Sequence, residues 1–222
     1  MSHTVVDHLV VAAASLAQGV AWCENTLGIT PGPGGDHPLM GTHNRLVNLS
    51  TSSHVQAYLE IIAINAQAPS PARARWFGLD NPALQASLLG APRLIHMVAR
   101  STMLDMHRWG LITVGQKPGD PISVSRDTAA GTLRWQILVR EDGALDNGGA
   151  LPGLIQWQGA HPTDAMPASG VTLHSLTLAG VPQRARDVLR LRAVQFGDAN
   201  APPELRAVLA TPLGDITLSS LV

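Results

Sequence analysis

The sequence predicts an α+β fold built from a repeated unit of one strand, one helix and then several strands, with two complete copies and a shorter third. Three observations predict it. The segment Val6-Asp7-His8-Leu9-Val10-Val11-Ala12 returns as Leu94-Ile95-His96-Met97-Val98-Ala99-Arg100, each a short apolar strand with histidine at its third position. A helical pattern follows each copy, at 15–27 and 102–109. A third echo opens at Val171-Thr172-Leu173-His174-Ser175-Leu176-Thr177-Leu178. In a doubly wound parallel sheet strands and helices would alternate one for one, and here they do not.

The elements follow in order. Residues 4–11 are rich in β-branched side chains and read as a strand. Ser15, with Gln18 three positions on, is a candidate capping box. Leu16, Val20, Cys23 and Leu27 then recur at helical spacing, and Gly28 is a natural stop. Residues 32–41 form a Gly/Pro-rich loop with room for one short strand, and 45–49 and 57–64 read as strands. A Pro/Ala-rich connector carries a short helix near 82–89. After the second copy of the strand and helix come strands at 121–125, 131–140 and 154–158. The last stretch adds a helix at 183–191 and strands at 204–211 and 215–221. The expected division is 1–66 for the first module, 67–92 for the connector and 93–165 for the second module. Residues 166–222 form the shorter third module, packed on the same domain.

The 222 residues are 45% hydrophobic, enough for a substantial core. Fifteen basic residues against sixteen acidic leave no basic field for nucleic acid and no polybasic tail for a membrane. Lys117 is the single lysine, and this arginine bias, with abundant Ala and Gly, has the look of a GC-rich bacterial genome. Nine histidines against one cysteine mean that any metal site must be built from imidazole and carboxylate. Cys23 alone excludes an intramolecular disulfide, and its apolar setting reads as a buried hydrophobe. The apolar run 9–17 lacks a preceding Lys or Arg, the wrong flank for a secretory signal. The uncharged run 165–183 is interrupted by Pro167, Gly170, His174 and Pro182 and does not read as a membrane span. The expected location is cytoplasmic.

Side chains alternate faces along a strand, so His8 shares a face with Val6 and Val10, and Glu60 with Tyr58 and Ile62. A carboxylate inside Tyr-Leu-Glu-Ile-Ile is costly to bury unless paired or bound to a cation. His8 and Glu60 stand on the first and last strands of one unit; His96 and Gln156 stand at comparable places in the other. Two imidazoles, one carboxylate and one amide oxygen would suit Zn, Ni, Mn or Fe(II) without choosing among them. Each residue alone has an ordinary structural explanation: a satisfied core histidine, an arginine-paired Glu60, or a Gln156 bonded to backbone. There is no phosphate-binding loop of the Walker type, no CxxC pair and no HExxH.

The chain resembles the vicinal oxygen chelate superfamily of glyoxalases and extradiol dioxygenases, in its glyoxalase-like branch. The residues that carry the resemblance are Asp7-His8-Leu9-Val10-Val11, Gly34-Gly35-Asp36-His37, Gly41-Thr42-His43-Asn44-Arg45-Leu46, Tyr58-Leu59-Glu60-Ile61-Ile62, and Leu154-Ile155-Gln156-Trp157 with His161-Pro162. The resemblance implies paired βαβββ modules whose mixed sheets curl around a metal-centred cleft. It implies His8, Glu60 and His96 as ligands of a divalent ion, with Gln156 or Gln158 near the fourth position, where a carboxylate is common. His174, in the weaker third repeat, is assigned to structure.

The implied chemistry is a metal-dependent lyase or isomerase acting on a small vicinal-oxygen substrate: a dicarbonyl, hemithioacetal or diol. Glu60 is a candidate base. His37, in the Gly-rich loop, is a second candidate and as plausibly a solvated loop residue, as is His43. Thr42 and Asn44 could orient a substrate oxygen, and Trp157, Trp22 or Trp109 could line the cleft. The alternatives are a protein that sequesters a small molecule without chemistry, or a ring-cleaving dioxygenase. Two full modules in one chain favour a site within that chain and leave a homodimer open.

Overall fold

The computed structural model describes residues 3–221. The chain opens with β1 (Val5–Ala12) and α1 (Leu16–Leu27). Ser15 caps this helix by accepting from the Gln18 backbone N–H, and Gly28 closes it in the left-handed conformation at φ 73°. The Gln18 side chain reaches past the expected capping box to accept from the N–H of Ala14. Then come β2 (Asp36–His37), β3 (Thr42–Asn48) and β4 (Tyr58–Ile64). The connector contains a 3₁₀ turn at Trp76–Gly78 and α2 (Pro82–Leu88), capped by Asn81. The second copy runs β5 (Arg93–Arg100), α3 (Leu104–Thr113), β6 (Asp120–Thr128), β7 (Gly131–Val139) and β8 (Gly153–Trp157). The last stretch holds β9 (Thr172–Ala179), α4 (Gln183–Leu189), β10 (Gln195–Phe196), β11 (Glu204–Thr211) and β12 (Gly214–Ser219).

Eight strands form one mixed sheet in the order β2-β3-β4-β1-β5-β8-β7-β6. Read from either edge the order is equivalent, as paired βαβββ modules require. First and last strands of each module lie at the centre and pair in parallel, β1 with β4 and β5 with β8. The modules meet through β1 and β5, antiparallel, with Leu9 opposite Met97. The sheet curls until its edges approach: Arg126 on β6 donates through Nη1 to Oδ1 of Asn44 on β3, at 3.3 Å. Gly35 makes this possible, because a Cβ there would stand 2.8 Å from Arg126 Cδ.

The expected α+β class holds, and the third unit departs from the repeat. Its strands form a separate sheet, β10-β9-β11-β12. β9 pairs in parallel with the short β10 and antiparallel with β11, which leaves β12 at the edge. In the two modules the last strand pairs with the first, so the third unit repeats the element order without the topology. His174 lies exposed on this small sheet.

The large sheet is buried on both faces. Its outer face, with Leu9, Leu59, Ile61 and Met97, packs against Cys23 and Leu27 of α1, Leu104 and Leu111 of α3, and the small sheet. Burial pushes the Cys23 thiol up to about 12, as expected of an inert core residue. The inner face, with Val10, Ile62, Val98, Trp135 and Ile155, is filled by Trp76, Phe77 and Leu79 from the connector. Each such side chain removed from water contributes roughly 1.5–3 kcal/mol. The connector therefore plugs the concavity. Phe77 holds a positive φ of 59°, a strained conformation for an aromatic residue.

Candidate active site

A bulge decides the site. Along β1 and β5, Val6 is opposite Ala99 and His8 is opposite Val98, so Asp7 is the extra residue. Simple alternation would send Asp7 to the face opposite His8. The bulge instead lets its carboxylate bond His8: the two side chains meet at 2.7 Å, His8 Nδ1 to Asp7 Oδ1. The other oxygen, Oδ2, accepts from Trp157 Nε1 at 2.9 Å and faces His161 Nε2 at 3.2 Å. Asp7 is fully buried. Burial alone would raise its carboxyl, yet the hydrogen bonds from His161 and His8 outweigh it and hold it well below the usual carboxylate range. An ionised carboxylate only accepts, so His8 donates to it from Nδ1. The other ring nitrogen, Nε2, lies 3.7 Å from Glu60 Oε2. The His8 ring is held on its other side by stacking on Tyr58, centroids 4.7 Å apart.

Glu60 sits on β4 opposite Leu46, and its second oxygen, Oε1, accepts from Asn44 Nδ2 at 2.6 Å. Oδ1 of Asn44 accepts from the Gly35 N–H at 2.9 Å and from Arg126. Asn44 thus spends its polar atoms on positioning Glu60 and Arg126. His37 is buried beside them, edge-on to Trp76, with Nδ1 3.2 Å from Thr42 Oγ1. Burial, then the charge of Arg126, push His37 down to about 3. It is neutral at pH 7 and a weak base. Thr42 serves His37. Trp157 lines the cavity with its ring while its N–H is committed to Asp7. The cavity among His8, Glu60, Arg126, Trp135 and Trp157 is small, about 30 Å³, and partly open to solvent.

His96 shares the inner face, opposite Val10, but both its nitrogens are taken. Nδ1 donates to the Gly149 carbonyl at 2.9 Å, and Nε2 accepts the Gly153 N–H at 3.1 Å. Burial pushes its ring down to about 4. Val10 pairs with Glu60, and its pseudo-symmetric counterpart Val98 pairs with Gly153. The residue in the place of Glu60 is therefore Gly153, not Gln156. Gln156 faces the outer side, where its Oε1 accepts from the Leu104 N–H at the start of α3. Gln158 lies beyond β8, exposed. Of the tryptophans, Trp109 is exposed and Trp22 packs on the outer core.

The family model described as "Glyoxalase-like domain" matches residues 6–191. The chain belongs to the glyoxalase-like domain family. No curated protein matches it in sequence. Among solved structures, a hypothetical protein from Staphylococcus aureus is 16% identical, with a TM-score of 0.60 over 97% of this chain and 85% of that one. Methylmalonyl-CoA epimerase from Streptomyces coelicolor, bound to 2-nitronate-propionyl-CoA, is 15% identical, with a TM-score of 0.41 over 70% of this chain and 96% of that one. The epimerase from Mycobacterium tuberculosis is 19% identical, at 0.40 over 72% and 91%. Among the described residues no helix is long and apolar enough to cross a membrane.

A divalent ion held by four ligands does not fit this glyoxalase-like chain. His96 Nε2 is occupied by a backbone N–H, Gly153 offers no side chain, and Gln156 faces away. His8 and Glu60 remain, and the described residues contain no group of three or more His, Cys, Asp or Glu that could hold a metal ion. Sequence reasoning quoted Asp7 and His161 only for the family likeness, without a role at the site, and missed Arg126 and Trp76. Asp7 depends on the bulge. Arg126 falls just past the strand expected at 121–125, because β6 extends to Thr128.

Proposed function

We propose that this glyoxalase-like protein is a lyase or isomerase that moves a proton next to a carbonyl of a small oxygen-rich substrate, with Glu60 and His8 as the acid–base pair. One observation carries the reading: His8, oriented by the buried Asp7, holds its Nε2 3.7 Å from Glu60 Oε2, and both residues line one cavity. Two groups this close exchange a substrate proton readily, one taking it while the other gives it back. Asn44 fixes the Glu60 carboxylate, and Trp135, Trp157 and Ile137 line the site with apolar surface, which strengthens the charge interactions beside it. Arg126 lines the same cavity, and its positive charge favours the negative charge that builds up on the substrate. The protein's own residues supply every step, and no ligand set for an ion is required.

The test is hydrogen–deuterium exchange at the α-carbon of small carbonyl compounds in D₂O, followed by NMR. A panel of pyruvate, 2-oxobutyrate, hydroxyacetone and methylglyoxal covers the class. The wild type should accelerate exchange in at least one member. Glu60→Gln and His8→Gln should each lower it by roughly 10²–10⁴-fold. Exchange should survive EDTA. No acceleration with any member sinks the reading, and activity lost to EDTA and restored by Zn, Ni, Mn or Fe(II) sinks its metal-free part.

A further inference from the structure

We infer that the substrate carries a carboxylate, which seats between the indole N–H of Trp76 and the side edge of the Arg126 guanidinium; this rests on the proton-transfer reading of the same cavity. Buried hydrogen-bond donors are nearly always paired. Among the described residues, Trp76 Nε1 and Arg126 Nε are buried without a partner, and both residues line the cavity that contains His8 and Glu60. Trp76 is 3% exposed, so its N–H has no access to bulk solvent. Its ring is fixed by stacking on Phe77 and by the edge of His37, so it cannot turn to seek a partner cheaply.

Arg126 narrows the ligand class. Its Nη1 is bound to Asn44, which leaves the edge formed by Nε and Nη2. That edge presents two parallel N–H donors, the geometry that meets both oxygens of a carboxylate. A neutral carbonyl would satisfy one donor and leave the charge unmatched. Two further donors near the cavity are committed elsewhere: Trp157 to Asp7, and the Asn44 amide to Glu60. Trp76, Phe77, Trp135 and Trp157 crowd this small, partly open cavity, which favours a short acid over a bulky one. Glu60 and His8 line the same cavity as Arg126 and Trp76, within reach of the rest of a molecule anchored there by its carboxylate. The substrate class is therefore a short oxo acid, anchored by its carboxylate and activated at the neighbouring carbonyl.

The experiment reads the Trp76 indole directly. The five tryptophans give separable indole signals in ¹⁵N-labelled protein, and Trp76→Phe identifies the relevant one. Titration with malonate in a carboxylate-free buffer should move the Trp76 N–H proton downfield and saturate. Malonamide, of the same shape without charge, should move it far less. Arg126→Met should weaken malonate binding at least about tenfold, and Arg126→Lys, which keeps the charge and loses the fork, should weaken it as well. If Arg126→Met fails to fold, Arg126→Lys and the wild-type titration still decide. In Glu60→Gln the malonate response should persist or tighten, because a repelling carboxylate is gone; this holds whether or not the protein turns over any carbonyl compound. A Trp76 signal indifferent to malonate, or equally responsive to malonamide, overturns the carboxylate site. Exchange activity without that response overturns this inference and leaves the proton-transfer reading standing.

Discussion

Replacing Asp7 should cost more stability than any other polar change in the cavity. Its carboxylate is fully buried and accepts from three donors, His8 Nδ1, Trp157 Nε1 and His161 Nε2. Asp7→Ala strands all three. Each stranded buried donor costs about 1–3 kcal/mol, so the sum is about 3–9 kcal/mol before relaxation. Relief from burying a charge offsets part of this, and the expected net loss is about 3–5 kcal/mol. Asp7→Asn keeps the shape but must turn its amide towards at least one donor, so a smaller loss is expected. It also frees His8 to move its proton to Nε2, which should lower α-proton exchange by roughly 10²–10⁴-fold. Urea unfolding at pH 7, followed by tryptophan fluorescence, measures the stability terms. The pH dependence has a definite sign. The native carboxyl lies below the unfolded value of about 3.9, so its contribution is complete above that pH and fades as pH falls towards the native value. The gap between wild type and Asp7→Asn should therefore be constant from pH 7 to about 5 and shrink below about 4. An Asp7→Ala variant within about 1 kcal/mol of wild type, or a gap that ignores acid, would refute the reasoning.

Other outcomes follow from the same geometry. Gly153→Ala places a Cβ 2.9 Å from His96 Nε2 and should cost about 1–3 kcal/mol in a thermal or urea melt, whereas a change at an open surface glycine would be milder. Gln156→Ala removes the cap of α3 and should cost about 1 kcal/mol while leaving malonate binding and exchange intact; lost exchange with an intact fold would return Gln156 to the site. Zn, Ni, Mn and Fe(II) at about 100 µM should leave the melting temperature unchanged. A micromolar site would add about 2.7 kcal/mol, a shift that His8→Gln should then abolish. His37, pushed down to about 3 by burial and Arg126, should show no titration by NMR between pH 5 and 8. Because it binds a proton only when unfolded, it lowers stability as pH drops below about 6.5.

Local pattern announced much of this fold. Apolar alternation with histidine at a fixed place located β1 and β5, and Ser15 and Gly28 bounded α1 within a residue. The same alternation put His8 and Glu60 on one face, where they meet. It failed wherever geometry departs from strict period two. Asp7 joins His8 only through the extra residue of a bulge, and nothing in Val-Asp-His-Leu signals that residue. Gln156 stands three residues past Gly153, an odd number that turns its side chain to the other face. Trp76 and Phe77 come from a Pro/Ala-rich connector that carries no periodicity, so their place inside the sheet depends on tertiary packing alone.

The asymmetry between Glu60 and Gly153 has a stereochemical consequence. A site with an acid or base on each half of the twofold could lift a proton from one face of a planar enolate and return it to the other, scrambling or inverting a chiral centre. Here Glu60 and His8 both belong to the first module, and the matching place in the second is a glycine whose N–H is tied to His96. Under the proposed chemistry the proton leaves and returns on one face only. Such a site moves a hydrogen suprafacially between neighbouring carbons, or eliminates a leaving group, while the handedness of a fixed centre survives each turnover.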